Sequence, residues 1–147
     1  MFEIFHRVRV SFHHVDKAGI VHYTNLFKYV EETEESFFRA LNQGPLEQVW
    51  GAGAGGLGWV RLKADLEFLY PARLDDRLLV HLWLEYKKSR SLGFGARISL
   101  REKIVAQGRI RTMCVRMGQN GYQACRIPDS LAKTLETAPW GQGWPGE

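Results

Sequence analysis

The sequence predicts an α+β domain in which one long helix packs on one face of a curved antiparallel sheet of about five strands. Three observations predict it. One long stretch has helical periodicity, strand-like alternation recurs through the second half, and no linker, repeat or low-complexity tract divides the chain. At 147 residues, 45% hydrophobic and 24% charged, the chain has enough apolar material for one core. The expected organisation is a single domain over residues 1–137 and a flexible tail over 138–147.

The elements follow in order. Around residues 4–13, Val8, Val10 and Phe12 alternate with Arg7, Arg9, Ser11 and His13, the pattern of a half-buried strand. From about Leu26 to Leu41 the period lengthens. Leu26, Tyr29, Val30, Thr33, Phe37, Ala40 and Leu41 share one stripe, opposite Lys28, Glu31, Glu32, Glu35 and Arg39. Thr24 or Asn25 is expected at the N-cap, and Asn42, Gly44 and Pro45 at the stop. Strands are then expected over 60–68, 78–86, 92–100 and about 104–117. Gly118-Gln119-Asn120-Gly121 is a hairpin signal before a short strand reaching Ile127. Pro128 and Asp129 start a short helix.

No apolar run approaches the 18 or more residues of a membrane-spanning helix. The start, MFEIFHRVRV, is charged by its third residue and has no apolar core, so no secretory signal is expected. Two cysteines make no disulfide framework, and a reduced, cytoplasmic protein is expected. The net charge of +4 is unevenly spread. Residues 1–76 hold 8 Lys and Arg against 11 Asp and Glu, whereas residues 77–126 hold 11 against 2. Such a basic segment suits an anionic partner as well as it suits a solvated sheet face. A basic, non-enzymatic nucleic-acid binder is one reading, but the segment lacks surface aromatics at a stacking rhythm, so no nucleic acid is expected.

Residues 51–56, G-A-G-A-G-G, satisfy G-x-G-x-x-G, yet a helical stretch precedes them and a strand follows, the reverse of a dinucleotide site. The glycine-rich 51–58 loop is therefore expected to be conformationally free, with no assigned chemistry. His13-His14-x-Asp16 lacks the second ligand pair of a zinc site, and no metal is expected. Cys114 and Cys125 face each other if Gln119-Asn120 is the hairpin loop, and do not if Asn120-Gly121 is. The informative stretch begins at Asp16. A carboxylate leaves a strand, Gly19 permits a turn, and a long helix starts shortly after, presenting unpaired N–H groups and a positive dipole end. Such a pair can attack a carbonyl and hold the oxyanion. Taken alone, these residues favour the simpler reading, in which Asp16 caps or pairs with Lys17.

The ten residues from Asp16 to Asn25, D-x-A-G-I-V-x-Y-x-N, resemble the signature of the 4-hydroxybenzoyl-CoA thioesterase family of hot-dog-fold proteins. Over about residues 5–135 the element order agrees too. The resemblance implies an acyl-CoA thioesterase that cleaves an aromatic or short-chain thioester to free acid and CoA. It implies Asp16 as nucleophile or general base and the Tyr23 backbone N–H as donor to the thioester carbonyl. Substrate-binding roles are implied for His22, Asn25 and Glu31. Lys87, Lys88, Arg90 and Ser91 would meet the CoA phosphates, usually across a subunit interface. Leu26 replaces a common aromatic, which reshapes the acyl pocket. No cofactor beyond substrate CoA is implied, and the assembly would be a homo-oligomer, dimer or tetramer. A hot-dog hydratase or dehydratase and a thioesterase acting on acyl carrier protein are the alternatives.

Overall fold

The structure, a computed structural model, describes residues 1–42 and 56–145. Strand β1 (Glu3–Arg9) leads through a 3-10 turn at Phe12–His14 into helix α1 (Tyr23–Asn42). Strands β2 (Leu57–Phe68), β3 (Arg77–Lys87), β4 (Ser91–Leu100), β5 (Lys103–Gly118) and β6 (Gly121–Ala124) follow, then a four-residue helix α2 (Asp129–Ala132). All ladders are antiparallel, in the order β1-β3-β4-β5-β2, with β6 pairing β5 past the end of β4. One long helix on a six-strand curved antiparallel sheet is the hot-dog architecture. None of the described helices is long and apolar enough to cross a membrane.

The period-2 rule assigns each strand residue to a face. Leu84, Phe94 and Ile110 share one inner row and Val80, Ile98 and Ala106 another. Against these rows α1 lays Val30, Phe37 and Phe38, all fully buried. Phe37 meets Phe94 edge-on at 5.2 Å, and Phe38 stacks on Trp59 at 5.0 Å. Such aromatic pairs add about 0.5–1.5 kcal/mol each beyond the area they bury.

Several expectations are corrected. The helix starts at Tyr23, so neither Thr24 nor Asn25 is its N-cap. Its buried stripe includes Phe38 and Glu34, while Ala40 is exposed. Phe12 is no strand residue and stands 81% exposed on the 3-10 turn. On edge strand β2, Val60 and Leu62 are exposed although their alternation reads as half-buried, because no neighbouring strand or helix of the described chain covers them. The hairpin loop is Gln119-Asn120, which brings the Sγ atoms of Cys114 and Cys125 to 3.5 Å. The expected helix stop at Gly44 and Pro45, and residues 51–55 of the glycine-rich loop, lie outside the described residues.

The tail differs most from expectation. Residues 138–145 lie across the outer face of the sheet. The Ala138 N–H donates to the Leu84 carbonyl at 2.8 Å, and the Trp144 ring meets Trp83 edge-on at 5.6 Å. The Arg97 and Arg109 guanidiniums sit 5.4 and 5.0 Å from the Trp144 ring centre. Trp83 in turn lies flat over Gly95, where an added Cβ would come within 2.2 Å of its ring. Composition misled here, since the Pro and Gly residues of the tail surround tryptophans that have a surface to bury. Trp144→Ala is expected to cost about 1–3 kcal/mol, from lost ring burial and two cation–π contacts. A thermal midpoint equal to wild type would show that the tail adds nothing to the fold.

Candidate active site

The chain between the 3-10 turn and α1 closes on itself. The Asp16 N–H donates to the Ile20 carbonyl at 2.9 Å, and the Gly19 N–H to the Asp16 carbonyl at 3.0 Å. Gly19 holds φ +78°, a conformation that favours glycine. Val21 donates to Ala72 at 2.8 Å, tying this loop to the crossover between β2 and β3. Asp16 Oδ1 accepts the Ala18 N–H at 2.8 Å, an Asx-turn that orients the carboxylate. Oδ2 has no partner among the described residues. Asp16 is exposed in the single chain.

At the start of α1, His22 supplies the cap. Its Nδ1 lies 2.7 Å from the Thr24 hydroxyl and accepts the Thr24 N–H at 3.4 Å. The Tyr23 backbone N–H has no hydrogen-bond partner among the described residues, so one of the orphan donors of the helix end remains available. Asn25 Nδ2 donates to the His14 carbonyl at 2.9 Å, and the His22 N–H donates to the same oxygen. His14 Nδ1 accepts from the Ser11 N–H at 3.2 Å and contacts the Tyr29 hydroxyl at 2.7 Å. Burial, then the neighbouring His13, lower the His14 pKa, while burial, then Glu32, push the Tyr29 hydroxyl up to about 12. Both groups stay neutral at pH 7, with the hydroxyl donating to Nδ1. Together these bonds brace the Asp16 loop against the helix.

Asp16, His22 and Tyr23 line one cleft of about 480 Å³. Its opposite wall is Phe68, Tyr70 and Pro71, at the end of β2 and in the crossover. The Tyr23 and Phe68 rings, both lining it, meet edge-on at 6.0 Å. Leu26 also lines it, buried, at the position where an aromatic was expected to be replaced. The wall residues were not anticipated as site residues. The signal was present, since Phe68-Leu69-Tyr70-Pro71 breaks the period-2 alternation with an apolar run that a paired strand does not require.

The remaining candidates are elsewhere. Asn25 is a buried brace, and Glu31 is exposed, 3.9 Å from Arg61 Nη1. Lys87 Nζ donates to the Ala132 and Leu135 carbonyls at 2.7 and 2.9 Å, anchoring the C-terminal segment. Lys88 lies over the Tyr86 ring at 5.3 Å, its N–H donating to the Ser91 carbonyl across the β3–β4 turn, and Arg90 is exposed on the same turn. This turn is at the far end of β3 from the crossover, roughly 33 Å away along the strand. One chain therefore does not bring it to Asp16. Among the described residues no cluster of three His, Cys, Asp or Glu could hold a metal ion.

A carboxylate and the open N-terminus of the central helix thus line one largely apolar cleft of a hot-dog fold. The sequence profile of the thioesterase-like superfamily matches residues 10–135, and the chain belongs to that family. It is an enzyme of the thioesterase type. A protein of Aquifex aeolicus (strain VF5), provisionally named an esterase, is 32% identical over 131 residues, covering 89% of this chain and 96% of the relative. The crystal structure of a hypothetical protein from Aquifex aeolicus superposes with a TM-score of 0.80 at 29% identity, covering 90% of this chain and 99% of that one. The 4-hydroxybenzoyl-CoA thioesterase of Pseudomonas sp. strain CBS-3 superposes with a TM-score of 0.83 at 18% identity, covering 91% and 99%, a likeness of fold.

Proposed function

We propose that the protein hydrolyses acyl-CoA thioesters in the cleft lined by Asp16 and the N-terminus of α1. The observation that carries this reading is one cleft shared by a carboxylate oxygen and a helix-end N–H that both lack a partner among the described residues. The thioester carbonyl oxygen accepts from the Tyr23 N–H, which stabilises the charge that develops there. Asp16 then acts in one of two ways. As nucleophile, its carboxylate attacks the carbonyl carbon, the C–S bond breaks, and water opens the resulting anhydride. As general base, it takes a proton from the water that attacks. In both, the CoA sulfur leaves with the electron pair, gains a proton and departs as thiol. The reading uses no cofactor beyond the CoA of the substrate. The apolar, aromatic-edged cleft suits an aromatic or short acyl group, carried on CoA or on an acyl carrier protein.

The assembly in this reading is a homo-oligomer. Edge strand β2 and the adjoining crossover carry Val60, Leu62, Phe68, Leu69 and Tyr70, each 41–50% exposed, beside an edge unpaired among the described residues. A second copy would cover such an edge. It would also bring its own Lys88 and Arg90 toward this Asp16, which the length of β3 forbids within one chain.

Thiol release from a panel of aromatic and aliphatic acyl-CoAs tests the function, and release from none of them ends the reading. His22 in the same cleft as Asp16 favours a second possibility, addition of water across an enoyl-CoA. Hydration of crotonyl-CoA without thiol release would establish it instead. Lys88→Ala with Arg90→Ala is expected to raise KM for CoA esters by about tenfold at constant kcat, as loss of charge-assisted contacts made equally in ground and transition states. Acyl-N-acetylcysteamine esters, which lack phosphates, should be cleaved unchanged. An unaltered KM for CoA esters would remove this turn from the site.

A further inference from the structure

A second cleft, also about 480 Å³, opens at the end of the β1–β3 ladder and is lined by four arginines, Arg7, Arg9, Arg77 and Arg101, together with Leu79 and Ser99. We propose that it binds the diphosphate group of a nucleotide.

Three features of the chain point to a ligand. First, the ladder register sets Arg9 directly opposite Arg77. Like charges in that relation destabilise a sheet, and nothing in the packing requires them. Second, the charge is uncompensated. Asp75 Oδ1 accepts from Arg9 Nη1 at 2.7 Å, but Arg7, Arg77 and Arg101 have no ion pair among the described residues. Third, Asp75 and Arg101 are the two non-glycine residues with positive φ, +67° and +54°, among the described residues. Both flank this cleft, one by pairing with Arg9 and one by lining it. Left-handed backbone at an arginine costs energy that glycine or asparagine would largely avoid. A like-charge pair and a strained arginine at one place are local costs that suit a bound anion better than they suit the fold.

Guanidiniums present planar forks of N–H donors that match phosphate oxygens two at a time. Three unpaired forks around one cleft match two linked phosphates better than a single one. A slot of this volume admits a small phosphorylated group and excludes a protein helix. The outer-face site is not covered by the C-terminal tail, which packs on the Trp83 row further along β3. The diphosphate has two sources, a free nucleoside diphosphate or the nucleotide end of CoA. The second would rest on the acyl-CoA reading; the site itself does not.

The test is isothermal titration of the full chain with inorganic pyrophosphate, ADP and CoA at fixed ionic strength. The variants are Arg77→Gln, which removes the like-charge pair, and Arg101→Asn, which suits the left-handed turn. Both should bind pyrophosphate at least tenfold more weakly than wild type while unfolding at the same or a higher temperature without ligand. CoA displacing bound pyrophosphate more effectively than ADP identifies CoA as the source, and the reverse identifies a free nucleotide; either supports the site. No pyrophosphate binding by wild type, or equal binding by both variants, overturns it. Cleavage of an acyl-N-acetylcysteamine ester, run in parallel, reports on the thioesterase reading alone, so the two fail separately.

Discussion

Asp16→Asn is expected to lower kcat for thioester cleavage by about 10²–10⁴-fold if the carboxylate is a general base, and by more if it is the nucleophile. The amide is nearly isosteric and can still accept the Ala18 N–H through its oxygen, so the turn at Gly19 should persist. What disappears is the charge that attacks the carbonyl or takes the proton from water. Binding contacts to the acyl group and to CoA are untouched, so KM should change little. Thermal unfolding should match wild type because Asp16 is exposed. Rapid-quench kinetics separate the two roles, since a nucleophile gives a burst of thiol and an acyl-enzyme that hydroxylamine intercepts. Full activity in the variant would remove Asp16 from the chemistry altogether.

Arg61→Met should destabilise the fold by about 3–5 kcal/mol, the cost of leaving a buried charge without its partner. Glu34, on the buried stripe of α1, is 1% exposed and is held by Arg61 of β2, while its other oxygen has no hydrogen-bond partner in the described structure. Burial pushes the Glu34 carboxyl above the usual 4.5, with the Arg61 charge and hydrogen bond opposing the shift. The folded state therefore holds its proton more tightly than the unfolded chain. That contribution to stability is fully present below the unfolded carboxyl range and is lost as pH rises through the raised folded value. Removing Arg61 raises that value further, so the cost of Arg61→Met should be smallest in acid and largest at neutral pH. Adding Glu34→Leu should recover most of the loss, because removing both partners leaves no uncompensated charge. Urea unfolding of the two single variants and the double variant at pH 4 and pH 7 measures this. A pH-independent cost would mean that Glu34 is not the group responsible.

Much of the fold was legible because it depends on repeating patterns. Alternation in residues 92–100 and 104–117 and the helical stripe from Leu26 to Leu41 each show which face is apolar, and burial of those faces dictates helix on sheet. Two buried residues of α1 were assigned poorly for opposite reasons. Phe38 fell between the two stripes, and Glu34 is charged, so only its partner on β2 explains its burial. At the site, the residues alone offered a turn after Asp16 and a helix end placed at Thr24 or Asn25; it was the family resemblance that singled out Asp16 and Tyr23, and the helix begins at Tyr23.

By itself, then, the sequence determined the element order, the helix with its apolar stripe and the turn after Asp16. These are local matters, settled by periodicity and by a glycine at positive φ. Only the tertiary structure decided what faces what. It drew Phe68 and Tyr70 across to the Asp16 cleft, assigned Lys87 to the C-terminal segment, laid the tryptophan tail on the sheet, and gathered Arg7, Arg9, Arg77 and Arg101 around one opening. The physical reason is strand register. Pairing brings together residues separated by tens of positions, and a side chain carries no mark of the partner it will meet until the ladder is formed.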